Sequence, residues 1–287
     1  MVEKDYWIMH CLYGLQIAEF KFELKGGTSL SKGFGIIDRF SEDIDIQIEP
    51  PKGQDVKMGR NQDSRAQVKS RADFYDWLAK TIRIDGIQEV SRDQAFDDTT
   101  YYRSGGIRLA YEPLTDPIAG LKDGVLLEAG FDTVTPNTPK DISSWAYDYA
   151  AGKVDIIDNR AKAVACYNPG YTLVEKLQTI STKFRKQQAS GEFPVNFMRH
   201  YYDVDRLLNH PEVQAFIGTT EYAEHKKKRF RQGDDLDISR NRAFLLTDLK
   251  VRAEYERAYL QTSALYYRGK PTFDEILKKI AAHASRL

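Results

Sequence analysis

Two aspartates, Asp43 and Asp45, stand two positions apart in the sequence DIDIQI. The alternation of polar residues and isoleucines predicts a β-strand, with both aspartates on one face and the isoleucines in a core. Adjacent carboxylates repel each other unless a cation lies between them. Hard oxygen ligands suit Mg²⁺, which proteins usually hold through one or two carboxylates and substrate phosphates. The spacing indicates a metal site, although a solvated amphipathic strand would show the same pattern.

The segment before this strand, KGGTSLSK, has the residues of a phosphate-binding turn. Gly26 and Gly27 permit backbone conformations closed to other residues and let a ligand approach the main chain. Thr28 and Ser29 are predicted to cap the helix that follows, which leaves its first N–H groups and positive dipole end facing an anion. We therefore predict nucleotide binding at these four residues and at Lys32.

The longer pattern GGTSLSK…RFSEDID resembles the signature of the AbiEii/AbiGii-type nucleotidyltransferase toxins, a branch of the DNA polymerase β-like superfamily. The upstream EKDYW fits the same family, and the resemblance covers most of the chain. It implies an α/β (α+β) fold, with a polymerase β-like nucleotidyltransferase core and a mixed sheet in residues 1–166. A helical domain in residues 167–287 would close the nucleotide cleft, and the helical periodicity after residue 168 agrees with this division.

Glu128 lies in the apolar segment VLLEAGF, where an unpaired buried carboxylate is costly. In the superfamily that the chain resembles, a third acidic residue on a neighbouring strand completes the metal site and can take the proton from the attacking hydroxyl. The resemblance therefore assigns Glu128 to metal binding and catalysis beside Asp43 and Asp45. Asp132 is a competing choice, and an edge-strand glutamate in water is the structural alternative.

Lys176 and Asp203 lie in predicted helices, within the sequences YTLVEKLQTI and RHYYDVDRLL. Both match motifs of the family that the chain resembles, in which the lysine faces the nucleotide cleft and holds phosphate. A lysine suits this role as a point charge. Asp203 is assigned to orienting Lys176 or the acceptor, and an ion pair with Arg199 is its structural alternative.

Basic residues form one dense run, HKKKRFR, from His225 to Arg231. This run could contact RNA phosphates, although basic helix faces are more often simply solvated. Arg103 and Arg108 could also reach a triphosphate or an acceptor. The chain has 42 basic and 42 acidic residues, so no global field recruits nucleic acid and such binding requires local patches.

Composition excludes several classes of protein. The two cysteines cannot build a disulfide framework or a four-sulfur zinc site, which favours a reducing, cytoplasmic location. No apolar run is long enough for a membrane span, so no membrane partner is expected. The N-terminus lacks the plan of a secretion signal. It starts inside a helical pattern, which leaves open whether further residues precede Met1.

These features predict a nucleotidyltransferase that uses an NTP and Mg²⁺ or Mn²⁺ and transfers the nucleotide to an acceptor hydroxyl. The resemblance implies a toxin of a toxin–antitoxin system, associated with phage defence and encoded beside its cognate antitoxin. It also implies the 3′ end of tRNA as the acceptor. Two alternatives remain open from the sequence, namely nucleotide transfer to a protein hydroxyl and a nucleotide-binding regulatory module without activity.

Overall fold

The computed structural model describes residues 1–59, 61–116, 121–194 and 196–287. The chain forms two compact units. The first contains Met1–Phe34 and Ser41–Tyr167, and the second contains Gly35–Phe40 and Asn168–Leu287. The assignment of residues 1–166 and 167–287 as domains remains a prediction, and it did not foresee that Gly35–Phe40 belongs to the second unit.

The first unit combines helices with one mixed sheet. Its helices are α1 (Val2–Ile17), α2 (Gly26–Thr28), α3 (Arg65–Thr81) and α4 (Trp145–Ala150). Its strands are β1 (Phe22–Lys25), β2 (Asp43–Ile48), β3 (Ile87–Arg92), β4 (Ser104–Tyr111), β5 (Val125–Gly130), β6 (Asn137–Ile142) and β7 (Ala161–Tyr167). A π-helical turn, Ser29–Gly33, directly follows α2.

The seven strands follow the order β3-β4-β5-β2-β1-β7-β6. β2 lies near the centre of the sheet, antiparallel to β1 and parallel to β5. Ile44, Ile46 and Ile48 are fully buried, because a strand places alternate side chains on opposite faces. Both the predicted strand and the predicted mixed α/β fold are confirmed.

The second unit is helical in the residues that the structure describes. Its helices are α5 (Pro169–Ser190), α6 (Arg199–Leu207), α7 (Pro211–Phe216), α8 (Thr220–Arg229), α9 (Arg242–Leu245), α10 (Leu249–Leu260) and α11 (Phe273–His283). The longest, α5, begins with Asn168 accepting a hydrogen bond from the Gly170 amide and ends at Gly191 in a left-handed conformation. These are favourable residues for the two ends of a helix.

Aromatic side chains form the core between the helices of the second unit. Tyr201 of α6 packs edge-on against Tyr255 of α10 and Phe273 of α11. The Tyr201 hydroxyl donates a hydrogen bond to the Ala243 carbonyl at 2.7 Å, so its polar group is satisfied although the residue is fully buried.

Among the described residues, none of the helices is long and apolar enough to cross a membrane.

Candidate active site

Three carboxylates lie on one face of the sheet in the first unit. Asp43 and Asp45 are half-buried on β2, on the face opposite the buried isoleucines. On the adjacent strand β5, Glu128 is the register partner of Asp45. Residues paired in neighbouring strands share a face. Asp132, the competing candidate, follows the end of β5 and is exposed, so strand pairing places Glu128 beside Asp45 instead.

The grouping of these carboxylates changes their acidity. Burial, followed by the charges of Asp45 and Asp43, raises the pKa of Glu128 to about 8. Burial also raises the pKa of Asp43, although Lys122 opposes this shift. The face therefore holds more negative charge than it can stabilise without a cation, and a proton on Glu128 relieves part of the repulsion.

Lys122 supplies a positive charge that sequence reasoning missed. Its Nζ lies 2.9 Å from each carboxylate oxygen of Asp43. The same ammonium lies 4.5 Å from the centroid of the Phe96 ring. Lys122 is separated from Asp43 by 79 positions, and no motif or periodic pattern links the two residues.

The glycine turn directly adjoins the carboxylates. Gly26 has a φ of +71°, in the left-handed region that favours glycine. A Cβ atom at this position would overlap Oδ2 of Asp45. Glycine is therefore required both for the backbone conformation and for the space that the Asp45 carboxylate occupies.

The prediction that Thr28 and Ser29 cap a helix is wrong. α2 begins at Gly26, and Lys25, its N-cap residue, makes no side-chain capping bond. The left-handed conformation of Gly26 lets the helical turn start at the end of β1, which places both hydroxyl residues inside the turn. The Thr28 hydroxyl instead donates to the Asp43 carbonyl at 2.5 Å, which ties the turn to the first residue of β2.

Lys32 is engaged in a buried ion pair. Its Nζ lies 2.6 Å from an Asp5 carboxylate oxygen and donates to the Ser143 carbonyl at 2.9 Å. The other Asp5 oxygen accepts a hydrogen bond from the Trp145 amide at 2.8 Å. Burial lowers the pKa of Lys32, while Asp5 opposes this shift. A nucleotide phosphate at Lys32 would have to compete with Asp5, and nucleotide binding by Lys32 remains a prediction.

A second charged group lies within the second unit. Asp203 of α6 is fully buried, and its Oδ2 atom lies 2.9 Å from the Nζ atom of Lys176 in α5. Arg39 contacts the same carboxylate through two bonds, Nε to Oδ1 and a terminal nitrogen to Oδ2, each 2.7 Å long. Burial alone would raise the pKa of Asp203, but the charges of Arg39 and Lys176 outweigh it and hold the pKa well below its usual range.

The Arg39–Asp203–Lys176 group has a net charge of +1, because two cations share one carboxylate. His200, half-buried with its Nδ1 atom away from solvent, adds no charge near neutral pH, since desolvation and the nearby Lys176 and Lys183 depress its pKa well below 6.5. The RFSEDID motif supplied Arg39, but the motif gave no indication of its partner 164 positions away.

A model of the family described as "Nucleotidyl transferase AbiEii toxin, Type IV TA system" matches residues 11–279. The chain belongs to this family. As an AbiEii nucleotidyltransferase it is a transferase and the toxin of a type IV toxin–antitoxin system, which implies an antitoxin partner. The suspected resemblance is thereby confirmed at the level of the family.

A solved structure with partial similarity is the crystal structure of an antigenic nucleotidyltransferase-like protein from Paracoccidioides brasiliensis. It is 12% identical, with a TM-score of 0.40, and the match covers 80% of this chain and 94% of that chain. The comparison with curated proteins gave no match.

The AbiEii activity implies a divalent cation, and the carboxylate face offers chemically suitable donors. Asp43, Asp45 and Glu128 supply hard oxygen atoms, and burial together with the charges of Asp45 and Asp43 raises the pKa of Glu128. Across the described residues, no group of three or more histidine, cysteine, aspartate or glutamate side chains is placed so that it could hold a metal ion. The fit therefore lies in the chemistry of the donor atoms, and Lys122 is the cation that contacts Asp43 in this structure.

The basic residues predicted to contact RNA do not form one continuous face. Lys226 is buried, and its ammonium donates to the backbone oxygen of Leu287. Arg229 lies 3.2 Å from Glu175, while Lys227 and Lys228 are exposed. The hypothesis that the whole run binds RNA therefore needs correction, because successive residues of α8 face different sides of the helix.

Arg103 and Arg108, the other proposed phosphate contacts, both have internal partners. Arg103 forms an ion pair with Asp63, and its guanidinium also donates to the Gly59 carbonyl at 2.9 Å. Arg108 forms an ion pair with Asp93. These contacts connect the loop and strand segments of the first unit.

Proposed function

We propose that this AbiEii-family enzyme transfers a nucleotide from an NTP to an acceptor hydroxyl, with Mg²⁺ or Mn²⁺ held by Asp43, Asp45 and Glu128. The observation that carries the proposal is the placement of these carboxylates on one face of β2 and β5, with Asp45 against Gly26. The backbone of a glycine turn lets a polyphosphate approach, and clustered carboxylates suit its divalent counter-ion.

Each carboxylate has a distinct role in this proposal. Asp43 and Asp45 would hold the divalent cation, which when bound neutralises charge on the reacting phosphate and the leaving pyrophosphate. Glu128 would accept the proton of the attacking hydroxyl. In the metal-free face, burial and the neighbouring carboxylates raise its pKa to about 8, which strengthens it as a base.

The backbone at Gly26 and Gly27 would approach the phosphates of the nucleotide. We assign the remaining phosphate charge to Lys176, whose group with Arg39 and Asp203 retains one net positive charge. Asp203 would fix the direction of the Lys176 ammonium, while Arg39 balances the Asp203 charge and leaves Lys176 able to attract an anion.

The acceptor that we propose is the 3′ end of tRNA, with phosphate contacts at the exposed Lys227 and Lys228. Cations at the surface attract the RNA backbone through counter-ion release. A cytoplasmic toxin of this kind would stop translation, and a role in phage defence remains a prediction from the resemblance.

Incubation of the full chain with each α-labelled NTP, Mg²⁺, tRNA and cell lysate tests this function. We expect label on tRNA from at least one NTP, and we expect its loss when periodate first destroys the terminal ribose diol. Label on a protein band would instead support protein modification. The absence of label with every NTP would contradict nucleotide transfer to either class of acceptor.

A further inference from the structure

Two buried charges hold the backbone of a single residue in the first unit. The Lys4 ammonium donates to the Lys122 carbonyl at 2.5 Å and to Glu42 at 3.3 Å. The same Glu42 oxygen accepts the Lys122 amide at 3.0 Å. Both the N–H and the C=O of Lys122 are therefore fixed by one ion pair, whose side chains are only 5% and 4% exposed.

This arrangement needs an explanation, because burial of an ion pair costs desolvation energy that the mutual attraction often does not fully offset. Lys4 comes from EKDYW and Glu42 from RFSEDID, the two motifs that the sequence analysis singled out. Their ion pair connects these motifs to Lys122. It fixes the point from which the Lys122 side chain starts, and that side chain ends 2.9 Å from both oxygens of Asp43.

We propose that Lys122 is the resident counter-ion of Asp43, which a divalent cation must displace, and that the Lys4–Glu42 pair positions Lys122 for this purpose. The proposal rests on the proposed role of Asp43 as a metal ligand. Because the ammonium engages both Asp43 oxygens, a metal ion that binds either oxygen competes with it. The Asp43 carboxylate is thus neutralised before the metal arrives, and the tethered lysine weakens binding of the metal alone.

Titration of Mn²⁺ into the nucleotide-free full chain tests this competition. Lys122→Met keeps the length of the side chain but removes its charge, so we expect Mn²⁺ to bind about tenfold more tightly. Lys122→Arg keeps a positive charge and should change the Kd less than about threefold. Asp43→Asn should weaken Mn²⁺ binding and should abolish the gain when combined with Lys122→Met.

Lys69→Met is a matched control. Lys69 contacts both oxygens of Asp73 at 2.6 and 2.7 Å, on the exposed surface of α3. Removal of this lysine should leave the Mn²⁺ affinity unchanged. Glu42→Gln weakens the tether while Lys122 keeps its charge, so it should tighten Mn²⁺ binding by a smaller factor than Lys122→Met. A merely structural role of Glu42 would not tighten binding.

Each result bears on the proposal. Unchanged or weaker Mn²⁺ binding by folded Lys122→Met, with weaker binding by Asp43→Asn, would overturn the competition while leaving Asp43 a metal ligand. Wild-type affinity in Asp43→Asn would overturn the metal site and the competition together. Circular dichroism establishes that each variant is folded. Should Lys122→Met fail to fold, Glu42→Gln provides a second test, because it tightens Mn²⁺ binding only if Lys122 competes with the metal.

Discussion

Asp45 and Glu128 are register partners on the adjacent parallel strands β2 and β5. Their proximity joins two carboxylates that lie 83 positions apart in sequence into one charged face. The grouping affects the acidity of Glu128. Burial and the charges of Asp45 and Asp43 raise the pKa of this residue to about 8. Folding stability and proton binding at this face are therefore coupled.

The first prediction concerns the pH dependence of stability. The raised pKa of Glu128 means that the folded state holds a proton which the unfolded chain loses near pH 4.5. Folding stability should therefore fall as the pH rises from about 4.5 to about 8. Glu128→Gln removes this titration. The free energy of unfolding of the variant, relative to that of the wild type, should therefore rise by about 1–3 kcal/mol between pH 5.5 and pH 8.

Urea unfolding in EDTA at the two pH values measures this difference. Glu89→Gln, which changes an exposed glutamate of β3 in the same sheet, is the control and should parallel the wild type. If the stability of Glu128→Gln changed with pH in the same way as that of the wild type, the elevated pKa of Glu128 would be refuted.

The second prediction concerns the space that Gly26 leaves for Asp45. Gly26→Ala combines a φ of +71° with an overlap between the new Cβ and the Asp45 carboxylate. We expect nucleotide transfer to fall at least tenfold, because displacing a reacting group by about 1 Å can cost two orders of magnitude. The strain of the left-handed conformation should cost about 1–2 kcal/mol.

Gly152→Ala separates these two effects. Gly152 has a similar φ of +76°, but a Cβ there meets no atom within 4 Å. It should lose a comparable amount of stability and retain activity. Measured melting temperatures and transfer rates of both variants decide the matter, and equal activity loss in the two would remove the special role of Gly26.

The sequence predicted the parts of the site that are set by local periodicity. Strict alternation placed Asp43 and Asp45 on one face of a strand, because a strand repeats every two residues. The position of Glu128 followed from the resemblance to a superfamily with a third acidic residue, and strand pairing then placed it beside Asp45. The shared face of Asp43 and Asp45 needed no knowledge of long-range packing, whereas the place of Glu128 beside Asp45 depends on the pairing of β2 and β5.

The parts that were missed or wrong depend on tertiary contacts. Lys122 and Arg39 reach partners 79 and 164 positions away, and no periodic pattern encodes such distances. The capping error at Thr28 arose because the conformation of Gly26 determines where the helical turn starts. Lys226 looked solvated within its basic run, but the fold buries its ammonium against Leu287.

The third prediction concerns the step that Lys176 serves. A cation at the outer phosphates supports both binding and charge development on the leaving pyrophosphate. Lys176→Ala should lower kcat and weaken NTP binding, with kcat/KM reduced by roughly two orders of magnitude or more. Lys176→Arg should recover part of this loss, since a planar guanidinium differs from a compact ammonium.

NTP titration and single-turnover transfer measure these effects, and Lys186→Ala is the control. Lys186 is exposed on the same helix α5, so its removal should leave both quantities within about twofold of the wild type. Normal nucleotide affinity together with a normal transfer rate in Lys176→Ala would return Lys176 to a purely structural pairing with Asp203.

The fourth prediction concerns RNA binding by the exposed part of the basic run. Lys227→Glu combined with Lys228→Glu should raise the KM for tRNA several-fold and leave the KM for NTP unchanged, because phosphate contacts act on the acceptor. Raising the salt concentration should also weaken tRNA binding more in the wild type than in this double variant. An unchanged KM for tRNA would exclude these two lysines from the acceptor site.

Lys226 is buried, unlike the exposed Lys227 and Lys228 beside it. Since its ammonium is buried against Leu287 and Tyr222 donates to the same backbone oxygen at 2.6 Å, Lys226→Ala should affect stability before it affects RNA binding. This corrects the hypothesis that the whole basic run contacts RNA.

The most direct test of the central claim is transfer of label from an α-labelled NTP by Asp45→Asn. With Mg²⁺ and tRNA, we predict a loss of transfer of about a thousandfold or more, because the substituted amide removes one charge from the proposed metal-binding face. The melting temperature in EDTA should equal or exceed that of the wild type, because one repelling charge beside Glu128 is gone. Transfer by folded Asp45→Asn within about threefold of the wild-type rate would contradict the assignment of nucleotide transfer to the carboxylates of β2 and β5.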